Sequence, residues 1–156
     1  MVGFSKASLI VASMLAAVCG APSARAATAP ADPCSLLSAA QVSSAMGTTY
    51  AAPQQSVAPR PYANTVQGTD CTYSGGGGSL LFRIYFDPSP EAATDLFAKL
   101  KMFYSPPTGV PGLGDEAYFD PRHGIHVRKG NVRFFLSAGD NEKALIDLAT
   151  QVAGQL

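Results

Sequence analysis

Three observations predict an α+β fold, an antiparallel sheet of about five strands packed with helices. Residues 80–86, 125–128 and 132–136 alternate apolar and polar side chains with a period of two. Tight-turn sequences separate neighbouring segments of this kind, so the strands they join run antiparallel. Two other segments repeat apolar residues at helical spacing: Leu96, Leu100 and Phe103 in one, Leu145, Leu148 and Val152 in the other. The expected order is α-β-β-α-β-β-β-α.

Taken in order, Asp32-Pro33 offers a helix cap followed by Pro at the first helical position. Ser38 with Gln41 three residues on matches a capping box, and Gly47 is a natural stop. Val42, Ala45 and Met46 give this first short helix its apolar side. Residues 48–68 are the least regular part, with Pro53, Pro59 and Pro61, although 48–50 could form an edge piece. Residues 70–74 and 80–86 then read as a hairpin across four glycines. Leu80, Phe82, Ile84 and Phe86 share one face of its second strand, and Arg83 lies on the other. Ser89-Pro90-Glu91 opens the second helix, and Pro106-Pro107 closes it. Strands at 116–119, 124–128 and 131–137 follow, joined by turns at 120–123 and 129–131. A last helix starts near Asp140 and Asn141.

The N-terminus carries an address. Lys6 precedes an apolar run at 9–18, and the triplet Ala24-Arg25-Ala26 follows. A basic start, an apolar core and an A-x-A site describe a secretory signal peptide, cleaved between Ala26 and Ala27. The run is short of the about 20 apolar residues that span a bilayer. Residues 1–26 are therefore the signal, 27–31 a disordered lead, and 32–156 a single α+β domain. Cys19 could serve as a lipid attachment site, but Val18 before it fits poorly, so a membrane anchor is not expected. The expected location is the periplasm or the exterior.

Export also decides the cysteines. Cleavage leaves Cys34 and Cys71, an even pair in an oxidising compartment, which reads as one disulfide. No C-x-x-C spacing and no flanking His suggest a redox or metal pair. Removing Lys6 and Arg25 from 11 basic residues leaves nine against 11 acidic, a net charge of −2. Without a basic excess to neutralise phosphates, nucleic acid is not an expected partner.

Candidate chemistry is sparse. His123 and His126, with Asp115, Glu116 and Asp120 nearby, could be imagined as a metal site. Residues i and i+3 of a strand point to opposite faces, so two solvated histidines are the plainer reading. Gly112-Leu113-Gly114-Asp115 lacks the Lys and Ser/Thr of a P-loop and precedes a strand. It reads as a turn whose Leu113 plugs the core. There is no G-x-S-x-G, so no catalytic constellation and no cofactor are expected. Arg83, His126, Arg128 and Arg133 are outward residues of three strands, and Tyr85 and Phe135 could join them. If those strands are neighbours, the four make a basic binding strip. The plainer reading is that helices cover this face and the charges sit at its rim.

Four stretches carry a resemblance. They are Asp32-Pro33-Cys34-Ser35-Leu36-Leu37-Ser38, Cys71-Thr72-Tyr73, Val110-Pro111-Gly112-Leu113-Gly114-Asp115-Glu116-Ala117-Tyr118, and Val127-Arg128-Lys129-Gly130. The chain resembles bacterial secreted proteins and lipoproteins of unknown function with a Cys pair and a "GLGDEA" signature, common in actinobacteria. The resemblance implies a PsbP-like sandwich of sheet and helices, and it implies no catalytic residues. The expected function is a non-catalytic binding or accessory role in the cell envelope, toward an envelope component or a partner protein. The alternatives are a small secreted hydrolase or metal-dependent enzyme using His123, His126 and Asp120, and an inhibitory or structural partner using the 48–68 loop.

Overall fold

The computed structural model describes residues 26–104 and 106–156. The signal peptide expected at 1–26, with Cys19, lies outside the described residues except for Ala26. A 3-10 turn, Pro33–Leu36, leads into α1 (Ala39–Met46), β1 (Gln54–Ala58), β2 (Gly68–Gly75) and β3 (Gly78–Phe86). Helix α2 (Pro90–Met102), strands β4 (Thr108–Gly109), β5 (Glu116–Phe119), β6 (Ile125–Lys129) and β7 (Val132–Ser137), and helix α3 (Glu142–Gln155) complete the chain. The strands form one antiparallel sheet in the order β1-β2-β3-β7-β6-β5-β4.

The α+β class is as expected, but the sheet has seven strands rather than about five. The two additional strands sit at its edges. β1 arises inside the irregular stretch because a strand paired on one side only, to β2, tolerates Pro53 before it and Pro59 after it. β4 is two residues long and pairs only with Tyr118 and Phe119. Tyr50 forms an isolated bridge to Gly75 rather than an edge strand.

Local signals decide the helices. Asp32 caps the 3-10 turn by accepting from Cys34 N at 2.9 Å. Ser38 and Gln41 form the reciprocal capping box, and Gly47 ends α1 at φ 69°. Ser89 and Asn141 cap α2 and α3. α2 ends at Met102, one residue short of Phe103, which is exposed rather than part of the helix stripe.

Helices cover both faces of the sheet. On one, Phe82, Ile84, Val127, Phe134 and Leu136 are buried with Leu145, Leu148 and Val152 of α3. Leu113 enters this core, as its turn predicts. Cys34 and Cys71 are bonded, with Cα atoms 5.6 Å apart, and fasten the 3-10 turn to β2. Tyr73 Oη donates to the Leu37 carbonyl at the same seam. On the opposite face lies α2, whose Phe97 packs edge-on against Tyr118 at 5.2 Å. No helix among the described residues is long and apolar enough to cross a membrane.

Ala27 heads the lead expected to be disordered. Its backbone N donates to Asn131 Oδ1 at 2.7 Å, and its carbonyl accepts from Asn131 Nδ2 at 2.8 Å.

Candidate functional site: a cleft under α2

The chain enters α2 from β3 and returns through the far edge, so β7, the central strand, comes to lie beside β3. Residues 50 positions apart thereby become neighbours. Across the α2 face, Asp70, Arg83, Phe135, His126 and Tyr118 stand opposite one another on consecutive strands. The next row is Tyr85, Arg133, Arg128 and Glu116. The four basic residues singled out in the sequence thus occupy one face of neighbouring strands.

Each of these four has an acidic partner. Arg83 donates from Nε and Nη2 to Asp70, at 2.6 and 2.8 Å. Arg133 donates from Nε and Nη2 to Asp87, at 2.5 and 3.0 Å. Arg128 Nη1 reaches Asp115 at 2.8 Å. His126 Nε2 lies 3.0 Å from Asp120 Oδ2. Arg133 is not an outward residue as expected: its side chain is only 3% exposed, as is that of Asp87. The helix-covered face leaves it little contact with water, so it is neutralised in place.

His126 is likewise no solvated histidine. It stacks on Tyr118 at 4.8 Å with the rings nearly parallel, and Tyr104 and Phe135 are 5.0 and 4.6 Å away. Burial lowers its pKa, against the pull of the Asp120 hydrogen bond, and the Arg83 charge lowers it further. The imidazole is therefore neutral at pH 7. Asp120 Oδ1 also accepts from the Arg122 and Gly124 amides, so the carboxylate is an acceptor throughout and the Nε2–H donates to its Oδ2, while Nδ1 has no partner among the described residues.

Between this surface and α2 lies a cleft of about 260 Å³. Arg83, Tyr85, His126, Arg133 and Phe135 form its floor, and Phe97 and Leu100 of α2, with Tyr104 just beyond the helix, its wall. Residues 59–61 cover it, tied down where Tyr85 Oη donates to the Pro59 carbonyl at 2.7 Å. Two glycines seat the floor. A Cβ on Gly68 would fall 2.5 Å from the Tyr85 ring, and one on Gly124 would fall 2.4 Å from the Phe135 ring. The Arg133 guanidinium lies over Tyr85, 4.8 Å from its centroid. A second cavity, of about 440 Å³, lies between residues 62–66 and α2, bordered by Asp87, Asp95 and Lys99.

Other sequence candidates fall elsewhere. His123, in a turn at φ 61°, pairs with Glu142 of α3 at 2.8 Å, on the other side of the sheet from the His126 site. Among the described residues, no three His, Cys, Asp or Glu side chains gather to hold a metal. Arg128 belongs to the turn of Gly114 and Asp115 and does not border the cleft. Residues that sequence reasoning missed are the carboxylates Asp70 and Asp87, with Tyr104 and Arg60; Asp120 was named beside His126, and the structure brings the two together. Only the strand register, which sets Asp70 opposite Arg83, could have revealed the first.

Comparison with family models, curated proteins and solved structures gives no match to this chain.

Proposed function

We propose that the protein is an exported, disulfide-bonded binding domain of the cell envelope, and that the cleft under α2 is its ligand site. The leader and the A-x-A triplet support export, and the bonded Cys34–Cys71 pair suits an oxidising compartment. The resemblance to secreted bacterial proteins with the same Cys pair points the same way. The observation that carries the binding role is the cleft itself: convergent arginines over an aromatic floor, on a rigid sheet rather than on loops. The test is native mass spectrometry of the protein recovered from the envelope of an expressing bacterium. The account expects a chain beginning at Ala27 with a bound small molecule, and loss of that molecule in Leu100→Trp, which fills the cleft. A cytosolic chain that keeps residues 1–26, or a molecule held equally by Leu100→Trp, contradicts it.

One observation favours a second reading, a small secreted hydrolase. Asp120 orients His126 at the border of the cleft, as a buried carboxylate orients a general base. His123 drops out of that reading because Glu142 holds it on the α3 side. Among the described residues no Ser, Thr or Cys borders the cleft, and this reading takes water as the nucleophile. Hydrolysis of p-nitrophenyl acetate that disappears in Asp120→Asn would establish it. Equal rates in wild type and variant would remove it.

A further inference from the structure

We infer that the cleft under α2 binds a small aromatic carboxylate, a single ring bearing one negative charge. The inference rests on the reading of the cleft as a ligand site and adds the class of ligand.

The arginine geometry comes first. Arg83 and Arg133 are clamped in the same side-on way, each giving Nε and Nη2 to a carboxylate. That arrangement fixes both guanidinium planes and leaves each Nη1 without a partner among the described residues. The buried polar atoms lacking a partner are Tyr50 Oη, Tyr118 Oη and the Arg128 Nε, none of them on these two arginines. Both arginines line the cleft, where their remaining Nη1 edges would meet a ligand. A rigid guanidinium fork is suited to a planar carboxylate.

The charge count selects a monoanion. Arg60, Arg83 and Arg133 border the cleft, and Asp70 and Asp87 offset two of them. Arg60 is exposed at the rim and makes no ion pair among the described residues. Asp120, which holds the neutral His126, balances the third arginine, so the nearly two negative charges of a phosphate monoester would go uncompensated, whereas a single carboxylate can face the exposed Arg60. The neutral His126 adds none.

Walls and size select the ring. Tyr85, Phe97, Leu100, Tyr104 and Phe135 present apolar surface. Aromatic walls favour offset or edge contacts with a ring placed between them. At about 260 Å³ the space falls just below the about 300–1,000 Å³ of drug-sized sites. A single ring with its carboxylate fits that scale, whereas a peptide or a lipid chain exceeds it.

The test titrates benzoate and phenylacetate, beside benzamide and phenylacetamide, into the oxidised protein while amide NMR shifts are followed. The expected result is saturable binding of a carboxylate with a Kd of about 1 mM or tighter. Shifts should centre on Arg83, Tyr85, His126 and Phe135, with the amides at least about tenfold weaker. Arg83→Lys, which keeps a charge for Asp70 but loses the fork, should weaken the carboxylate alone by about five- to tenfold. Arg60→Gln, an exposed change that leaves the fold intact, should do so by a similar factor. Carboxylates and amides that bind the cleft equally would overturn the anion class while leaving the cleft as a site. No shift at the cleft with any probe would overturn the inference. A natural adduct in the mass spectrum would still preserve the wider reading.

Discussion

Asn131 shows how one side chain can hold several segments together. It is 3% exposed, donates to the Ala27 and Asp87 carbonyls and accepts from Ala27 N. Asn131→Ala removes the partner of each, and urea denaturation should show a loss of about 1–3 kcal/mol. A midpoint unchanged from wild type would mean that Ala27 is not fastened there in solution. His126 gives the pH dependence its sign. Its folded pKa is depressed, so the unfolded chain binds the proton more tightly. Its contribution is complete above the unfolded value of about 6.5 and is lost as pH falls through the lower folded value. His123 is raised by its Glu142 hydrogen bond, so its contribution is present at low pH and fades as pH rises. Thermal melts at pH 7 and 5.5 should therefore show a smaller acid-induced drop in His126→Gln than in wild type. An identical drop would place the titrating group elsewhere. Neither histidine's surroundings could be read beforehand. Strand alternation put His126 on the correct face, but whether water or a helix lies over that face is a tertiary fact.

At the scale of elements, the legible parts were those whose signals are local. The capping box of Ser38 and Gln41, the Pro90 start of α2 and the period-two strands β3, β6 and β7 need only near neighbours in sequence. β1 was illegible because its Gln54, Gln55, Ser56 and Val57 are exposed and bear no alternating pattern. It is a strand only because β2 offers a free edge. The pairing of β7 with β3 was also hidden, since α2 and three strands intervene. That pairing creates the Arg133–Asp87 contact at the entrance to α2. Asp87→Ala leaves a buried guanidinium uncompensated and should cost about 3–5 kcal/mol in chemical denaturation. A loss below about 1 kcal/mol would show that water reaches Arg133 and that α2 does not seal this end of the sheet.

On the scale of the whole molecule, the disulfide and the cleft answer to the same sheet. Cys34 and Cys71 close 37 residues of chain, which in the loop-entropy account contributes about 4 kcal/mol. Reduction, or Cys34→Ser with Cys71→Ser, should lower the unfolding free energy by about that amount, read from urea melts with and without reductant. Equal melts would detach the fold from an oxidising compartment and weaken the case for export. The fold class was legible because antiparallel alternation and helical stripes are properties of segments. The cleft was legible only as a set of residue types, since register, chain crossing and the tilt of α2 bring them together. The most direct test is a crystal structure of the protein as recovered from its expressing host, with no ligand added. The account predicts density for a small molecule between Tyr104 and Phe135, against the free edges of Arg83 and Arg133. A cleft closed by Leu100 and Tyr104 settling onto the sheet, or filled by water alone, would contradict it.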